Sequence, residues 1–156
     1  MSKIIKFTAT NKELLNIAFE IRRKVFIEEQ NVSEEEEFEF EEDCMHFLIY
    51  YKKRVVGTAR HRQTNKGVKL ERFAILAEGR GKGYGYDILR FVLNDARALD
   101  KPVYLNAQVD VVDFYKKQGF VITGTKFIEA GIEHYPMTFE DPINLENALK
   151  KAVCRR

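Results

Sequence analysis

The stretch "RGKGYG", Arg80 to Gly85, alternates glycine with other residues, carries two fixed positive charges and runs straight into an amphipathic segment. Upstream, "VKLERFAIL" (68–76) reads as a strand. Downstream, "YDILRFVLNDARAL" (86–99) places Ile88, Leu89, Val92, Leu93 and Ala96 on one helical face. A glycine turn between a strand and a helix is a candidate anion cradle. Amides at a helix start point outward unpaired, the helix dipole adds partial positive charge, and glycine lets an anion approach closely. Arg80 and Lys82 add full charges, and arginine can grip phosphate oxygens with two donors. Spacing excludes two familiar phosphate loops. No Gly-Lys-Ser/Thr occurs, so a Walker loop is absent. Counting G-x-G-x-x-G from Gly79, Gly81 or Gly83 ends on Tyr84, Tyr86 or Ile88, so the dinucleotide fingerprint fails too. A solvated turn that merely starts a helix is the ordinary alternative.

Outward from this turn, "KIIKFTA" (3–9) reads as a first strand. Asn11 can cap a helix through "NKELLNIAFEIRRKVFIEEQ" (11–30), with Leu14, Leu15, Ala18, Ile21, Val25 and Phe26 as its apolar stripe. "MHFLIYY" (45–51) and "RVVGTARHR" (54–62) form a hairpin across Lys52-Lys53. After the central helix come a strand "PVYLNA" (102–107), a helix over 109–118 ended by Gly119, and a final pair of strands in 120–139. "INLENALKKAV" (143–153) suggests a terminal helix. A strand–helix–strand unit embedded in hairpins implies a mixed α+β class with a central, mixed sheet flanked by helices. Residues 1–140 read as one domain, with 141–156 as its helical extension.

The 156 residues suffice for one real core, and 45% hydrophobic with 32% charged residues is an ordinary globular composition. No apolar run approaches the roughly 18 residues that span a bilayer, so no membrane role is expected. "MSKIIKFTAT" lacks the features of a signal peptide. Cys44 and Cys154 show no redox or metal spacing, which favours a reducing, cytoplasmic setting and no metal. Net charge is +2, but ten of the 24 acids lie between Glu28 and Asp43, where there is no Lys or Arg. The rest carries 26 bases against 14 acids, a formal excess of twelve. By itself the segment "SEEEEFEFEED" (33–43) reads as a solvated loop.

The pattern Arg80-x-x-Gly83-x-Gly85 after "LERFAIL" resembles the pyrophosphate-binding signature of the GNAT superfamily of acyl-CoA-dependent N-acetyltransferases. "VGTARHR" is similar to that family's third strand, and "LNAQVDVVDFYKKQGF" (105–120) to its second cofactor segment. "FIEAGIEHYPM" (127–137) resembles the closing strands of the ElaA/YjcF-like branch, and Arg22 to Gln30 resembles that branch's opening "RxxVFxxEQ". The resemblance covers nearly the whole chain. It implies the acyl-CoA N-acyltransferase fold, with a mostly antiparallel sheet and acetyl-CoA lying beside a bulged strand.

Residue by residue, the resemblance implies that Phe73, Ala74 and Ile75 lie along the pantetheine arm and offer it backbone groups. It implies that the amides of Gly81, Lys82, Gly83, Tyr84 and Gly85 hold the pyrophosphate, with Arg80 framing the turn. Asn106, Gln108 and Lys116 are further cofactor contacts on this reading. Acetyl transfer from a thioester to an amine needs a neutral amine, donors for the thioester oxygen and a proton for the thiolate. Tyr115 matches the family tyrosine commonly assigned as the acid. His134 is the first candidate base, since imidazole titrates near neutrality. Glu71 is the second, and Glu29 the third; Glu29 could instead orient the amine, with Glu129 also bordering the substrate. An acid-rich border would favour a cationic small-molecule amine. Many relatives dimerise, so a homodimer is compatible with the resemblance. The competing readings are a catalytically silent acyl-CoA sensor and a nucleic-acid-binding module. The second has scattered bases, no aromatic stacking platform and a repelling acidic segment against it.

Overall fold

In the computed structural model the described residues are 2–141; the terminal helix read in 143–153 and Cys154 lie outside them. The chain forms two units, residues 1–103 and 104–156. The fold is mixed α+β, with eight strands and four α-helices among the described residues, and every strand pairing described below is antiparallel.

The first unit is a four-stranded meander, β1 (Ser2–Thr8), β2 (Cys44–Tyr51), β3 (Arg54–Thr64) and β4 (Gly67–Ile75), each pairing with the next. The β2–β3 turn is made by Lys52 and Lys53 at φ 49° and 67°. Positive φ at both central residues is the two-residue geometry that matches strand twist, here adopted by two lysines rather than Asn-Gly. On β3, Gly57 admits its neighbour's backbone: a Cβ there would stand 2.8 Å from the Ala74 carbonyl oxygen and 2.5 Å from Ile75 Cδ1.

Helix α1 (Lys12–Arg22) starts where expected, with Asn11 Oδ1 accepting from the Leu14 amide at 3.1 Å. Its expected continuation to Gln30 is helical but changes winding: Arg23–Glu29 is a π-helix, still burying Val25 and Phe26. Helix α3 (Tyr84–Arg97) buries the five apolar residues predicted for it, plus Tyr84. Each such Val, Leu or Ile contributes about 1.5–3 kcal/mol.

The acidic segment corrects the expectation of a solvated loop. Ser33 caps a single helical turn, α2 (Glu34–Glu37), and a 3₁₀ turn follows at Glu41–Asp43. Glu37 is only 2% exposed, because arginines from three other elements reach it or its neighbours.

The second unit begins within β5 (Val103–Gln108) and continues with a 3₁₀ turn at Val109–Val111, α4 (Val112–Lys117), β6 (Phe120–Ile122), β7 (Phe127–Glu129) and β8 (Ile132–Phe139). The helix expected over 109–118 thus begins as a 3₁₀ turn, and Gly119 ends it at φ 102°. The expected final pair of strands is three. β6 and β7 both pair with β8, interrupted where Pro136, which has no N–H to offer, faces the chain; its carbonyl accepts from Thr123 N at 2.9 Å.

Candidate active site

The glycine loop belongs to the first unit. After β4 a 3₁₀ turn (Ala77–Gly79) leads into Arg80, and Gly83 is the N-cap of α3. Gly81 and Gly83 sit at φ 78° and 86°, a region glycine enters without steric cost, and a Cβ built on either would meet nothing within 4 Å. Within the protein, then, the glycines are required by backbone conformation, and the space before them is open. No side chain caps α3, so its first amides are left for something else. Tyr84 packs its ring against Tyr51, with centroids 5.7 Å apart, and is buried. Lys82 is exposed, its Nζ donating to the Glu78 carbonyl at 3.2 Å.

Arg80 ties the turn to its flanks. Its Nε donates to the Ile75 carbonyl at 2.9 Å, and Nη2 donates to Glu29 Oε2 at 2.7 Å. Glu29, read from sequence as a base or amine-orienting group, is therefore committed to an ion pair with the loop arginine.

β4 is bulged. Thr58 pairs with Ala74 and Arg60 with Glu71, so Arg72 and Phe73 together oppose one residue, Ala59. Arg72 takes φ 60° to accommodate this. Ala74 is buried, whereas Phe73 and Ile75 are half-buried.

Beside the bulge lies a buried ionic network. Arg22 and Arg60 are each 1% exposed. Arg22 Nε donates to Glu37 Oε1 at 2.7 Å, its Nη1 to Glu41 Oε1 at 2.8 Å, and its Nη2 to the Glu37 carbonyl at 2.7 Å. Arg60 Nη1 donates to Glu41 Oε1 and to the Glu39 carbonyl, and its Nε to Glu71 Oε1 at 3.1 Å. Arg62 Nε and Lys69 Nζ reach Glu71 at 2.7 and 3.2 Å. Arg72 bonds the carbonyls of Glu36 and Glu37 and lies 3.3 Å from Glu37 Oε2. Arg62 also lies over the Phe40 ring, 4.2 Å from its centroid.

This network revises two expectations. Burial alone would raise the Glu71 pKa, but Arg60, then Lys69, Arg72 and Arg62, outweigh it and hold the carboxyl at about 2. A carboxylate so stabilised is a poor proton acceptor at neutral pH, and Glu71 is better described as an ion-pair partner than as a base. Glu34, Glu37, Glu39 and Glu41 all face protein arginines; Glu37 is buried and Glu41 half-buried, whereas Glu34, Glu35, Glu36, Glu39, Glu42 and Asp43 are exposed. The sequence reading missed Arg60, Arg62 and Lys69. Their signal was charge at strand period two, Arg60/Arg62 on β3 and Lys69/Glu71 on β4, where a buried face would ordinarily be apolar.

In the second unit, Asn106 and Gln108 share one face of β5, both half-buried, while Leu105 and Ala107 are buried on the other. Gln108 stands directly opposite His134 on β8, and His134 in turn faces Phe127 on β7. His134 is 8% exposed and stacked on Phe127, with centroids 5.7 Å apart and planes at 22°. Its Nδ1 lies 2.7 Å from the Ile132 carbonyl oxygen. A carbonyl can only accept, so Nδ1 carries the hydrogen and the neutral ring keeps its lone pair on Nε2. Tyr115 on α4 is buried, edge-on to Phe114 and Phe120, and burial pushes its phenol pKa upward. Lys116 is exposed in the last turn of α4, and Glu129 is exposed beside the Ala130–Gly131 turn.

Residues 8–140 match the family model described as acetyltransferase (GNAT) domain. The uncharacterized N-acetyltransferase YjcF of Bacillus subtilis is 39% identical over 134 residues, 83% of this chain and 94% of that protein. The crystal structure of Escherichia coli ElaA superposes with a TM-score of 0.81 at 25% identity, covering 90% of this chain and all of ElaA. A Bacillus subtilis acetyltransferase solved in complex with CoA gives 0.66 at 14% identity, covering 90% of this chain and 99% of that one. No helix among the described residues is long and apolar enough to cross a membrane. With a family model spanning most of its length and a close relative over nearly the whole of YjcF, the chain belongs to the GNAT family and is an acyl-CoA-dependent N-acetyltransferase.

Proposed function

We propose that the chain transfers the acetyl group of acetyl-CoA to a primary amine of a small molecule by direct attack in a ternary complex. The observation that carries this reading is the uncapped amino end of α3, where Gly81 and Gly83 hold left-handed backbone in front of open space. That arrangement fits a pyrophosphate: amides from Gly81 through Gly85 would hold it, with Lys82 nearby. Support for the donor comes from the structural relative bound to CoA. When bound, acetyl-CoA supplies a thioester carbonyl activated toward an amine.

The remaining work falls to the chain's own groups. His134 Nε2 would take the proton from the ammonium form of the amine, while its Nδ1–H stays fixed on Ile132. The N–C bond forms as the C–S bond breaks; the Tyr115 hydroxyl would give its proton to the departing thiolate, and the second proton lost by the acylated nitrogen would restore the phenol. Burial keeps that phenol protonated across the working pH range, which suits a donor. On this reading Asn106, Gln108 and Lys116 contact the donor, and the acidic segment contributes to the acceptor side only through its exposed acids. The test is an acceptor screen: purified protein, acetyl-CoA and a panel of amines, with free thiol measured. Amine-dependent thiol release supports transfer; CoA binding with no thiol released by any amine would overturn it. Tyr115→Phe is expected to lower kcat about a hundredfold while CoA affinity, measured calorimetrically, stays within about twofold. Equal turnover would remove Tyr115 as the acid.

A further inference from the structure

The π-helix at Arg23–Glu29 is an unusual element, since i→i+5 winding is rare and tends to mark functional positions. Its consequence is directional. Arg22 and Glu29 are seven residues apart, two turns of an ordinary α-helix, and would point the same way along one. The wider winding rotates them apart. Arg22 turns into the buried network with Glu37 and Glu41, while Glu29 reaches Arg80 of the glycine loop.

We propose that Glu29 is a positioning residue for the donor loop, acting through Arg80. This rests on reading residues 81–85 as the phosphate-holding loop. Among the described residues, little else is anchored within that loop. Gly81 and Gly83 have open surroundings, α3 lacks a side-chain cap, and Lys82 holds only the Glu78 carbonyl at 3.2 Å. The two good side-chain tethers both run through Arg80: to the Ile75 carbonyl at the end of β4, and to Glu29. Glycines cost the most conformational entropy to order, so a loop rich in them binds an anion better if its shape is already set. The Nε bond closes the 75–80 turn, and Glu29 holds the guanidinium in the orientation that makes this bond. Glu29 thus contributes to donor binding without touching the donor, and it is spent as an anion on Arg80 rather than offered to the amine.

The test compares Glu29→Gln, Glu29→Asp, Arg80→Gln and the Glu29→Gln/Arg80→Gln double variant. CoA affinity is measured by calorimetry, and kcat and KM for acetyl-CoA by thiol release. Glu29→Gln should weaken CoA binding and raise KM for acetyl-CoA about two- to fivefold, the effect of one exposed ion pair, with kcat unchanged. Glu29→Asp should recover part of the loss. The double variant should bind CoA no more weakly than Arg80→Gln alone, because the effect passes through Arg80. Tighter or unchanged CoA binding in Glu29→Gln would overturn the proposal, as would a loss confined to kcat or to the acceptor's KM. If the unsubstituted protein itself failed to bind CoA, the reading of the loop would fall, and this inference with it; that outcome is distinct from a change seen only in the variants.

Discussion

Replacing His134 by Asn is expected to lower amine-dependent thiol release at neutral pH by about a hundredfold or more, within the range that general acid–base groups contribute. Asn is chosen because its amide can still donate toward the Ile132 carbonyl, which His134 Nδ1 now meets at 2.7 Å, while the basic Nε2 is gone. The loss would therefore report the proton acceptor rather than a collapsed β7–β8 hairpin. Two further readings separate base from scaffold. CoA affinity should be preserved, and the deficit should shrink as pH rises, because solvent then supplies the free amine that the histidine otherwise generates. Activity within tenfold of the unsubstituted protein at neutral pH would return His134 to a packing role on the Phe127 ring. Glu71 would not be its replacement, since its carboxylate is held at about 2 by surrounding cations.

Replacing Arg22 by Ala is expected to destabilise the fold by about 3–5 kcal/mol, the usual cost of removing one partner from a buried ion pair. Arg22 is 1% exposed and serves the Glu37 carboxylate, the Glu37 carbonyl and Glu41 at 2.7–3.0 Å. Its guanidinium also lies 5.3 Å from the centroids of both Phe19 and Phe38. Without it, Glu37, 2% exposed in the intact fold, keeps Arg72 as an ion-pair partner and the more distant charge of Arg60, and the acidic segment loses its central fastening. Urea melts monitored by circular dichroism measure this, and a second replacement, Glu37→Met in the Arg22→Met background, should recover much of the loss because no unpaired charge remains. A change below about 1 kcal/mol for Arg22→Ala, the scale of an exposed pair, would show that the network is solvated rather than buried. The same network governs acid tolerance. Because the Glu71 pKa is depressed in the fold, its contribution is fully present above the unfolded glutamate value of about 4.3 and is lost as pH falls toward about 2.

The elements around the glycine loop were legible because their signals are local. Asn11 caps α1 as its side chain requires, and the apolar spacing of 88–96 becomes the buried face of α3. Lys52 and Lys53 turn β2 into β3 within the two residues allotted to them. The acidic segment was not legible. Eight acids without a base look solvated along residues 33–43, yet the counter-charges of Glu37, Glu39 and Glu41, namely Arg22, Arg60 and Arg72, come from α1, β3 and β4. The change of winding at Arg23 was equally hidden, since its apolar residues suit α and π periods alike over seven positions.

The sequence by itself therefore determined the order of most elements and the glycine loop, because periodicity, capping and turn chemistry act between near neighbours, while the resemblance of the flanking motifs pointed to the family. Tertiary structure alone decided what the charged groups do. Strand register sets Arg60 opposite Glu71 and so turns a candidate base into a fixed anion. The π winding sends Glu29 to Arg80 instead of leaving it for the amine, and the β7–β8 pairing that stacks His134 on Phe127 lets Ile132 fix the tautomer. A side chain's proton affinity depends on which charges and carbonyls the fold brings within about 3 Å, and that distance is set by contacts remote in sequence.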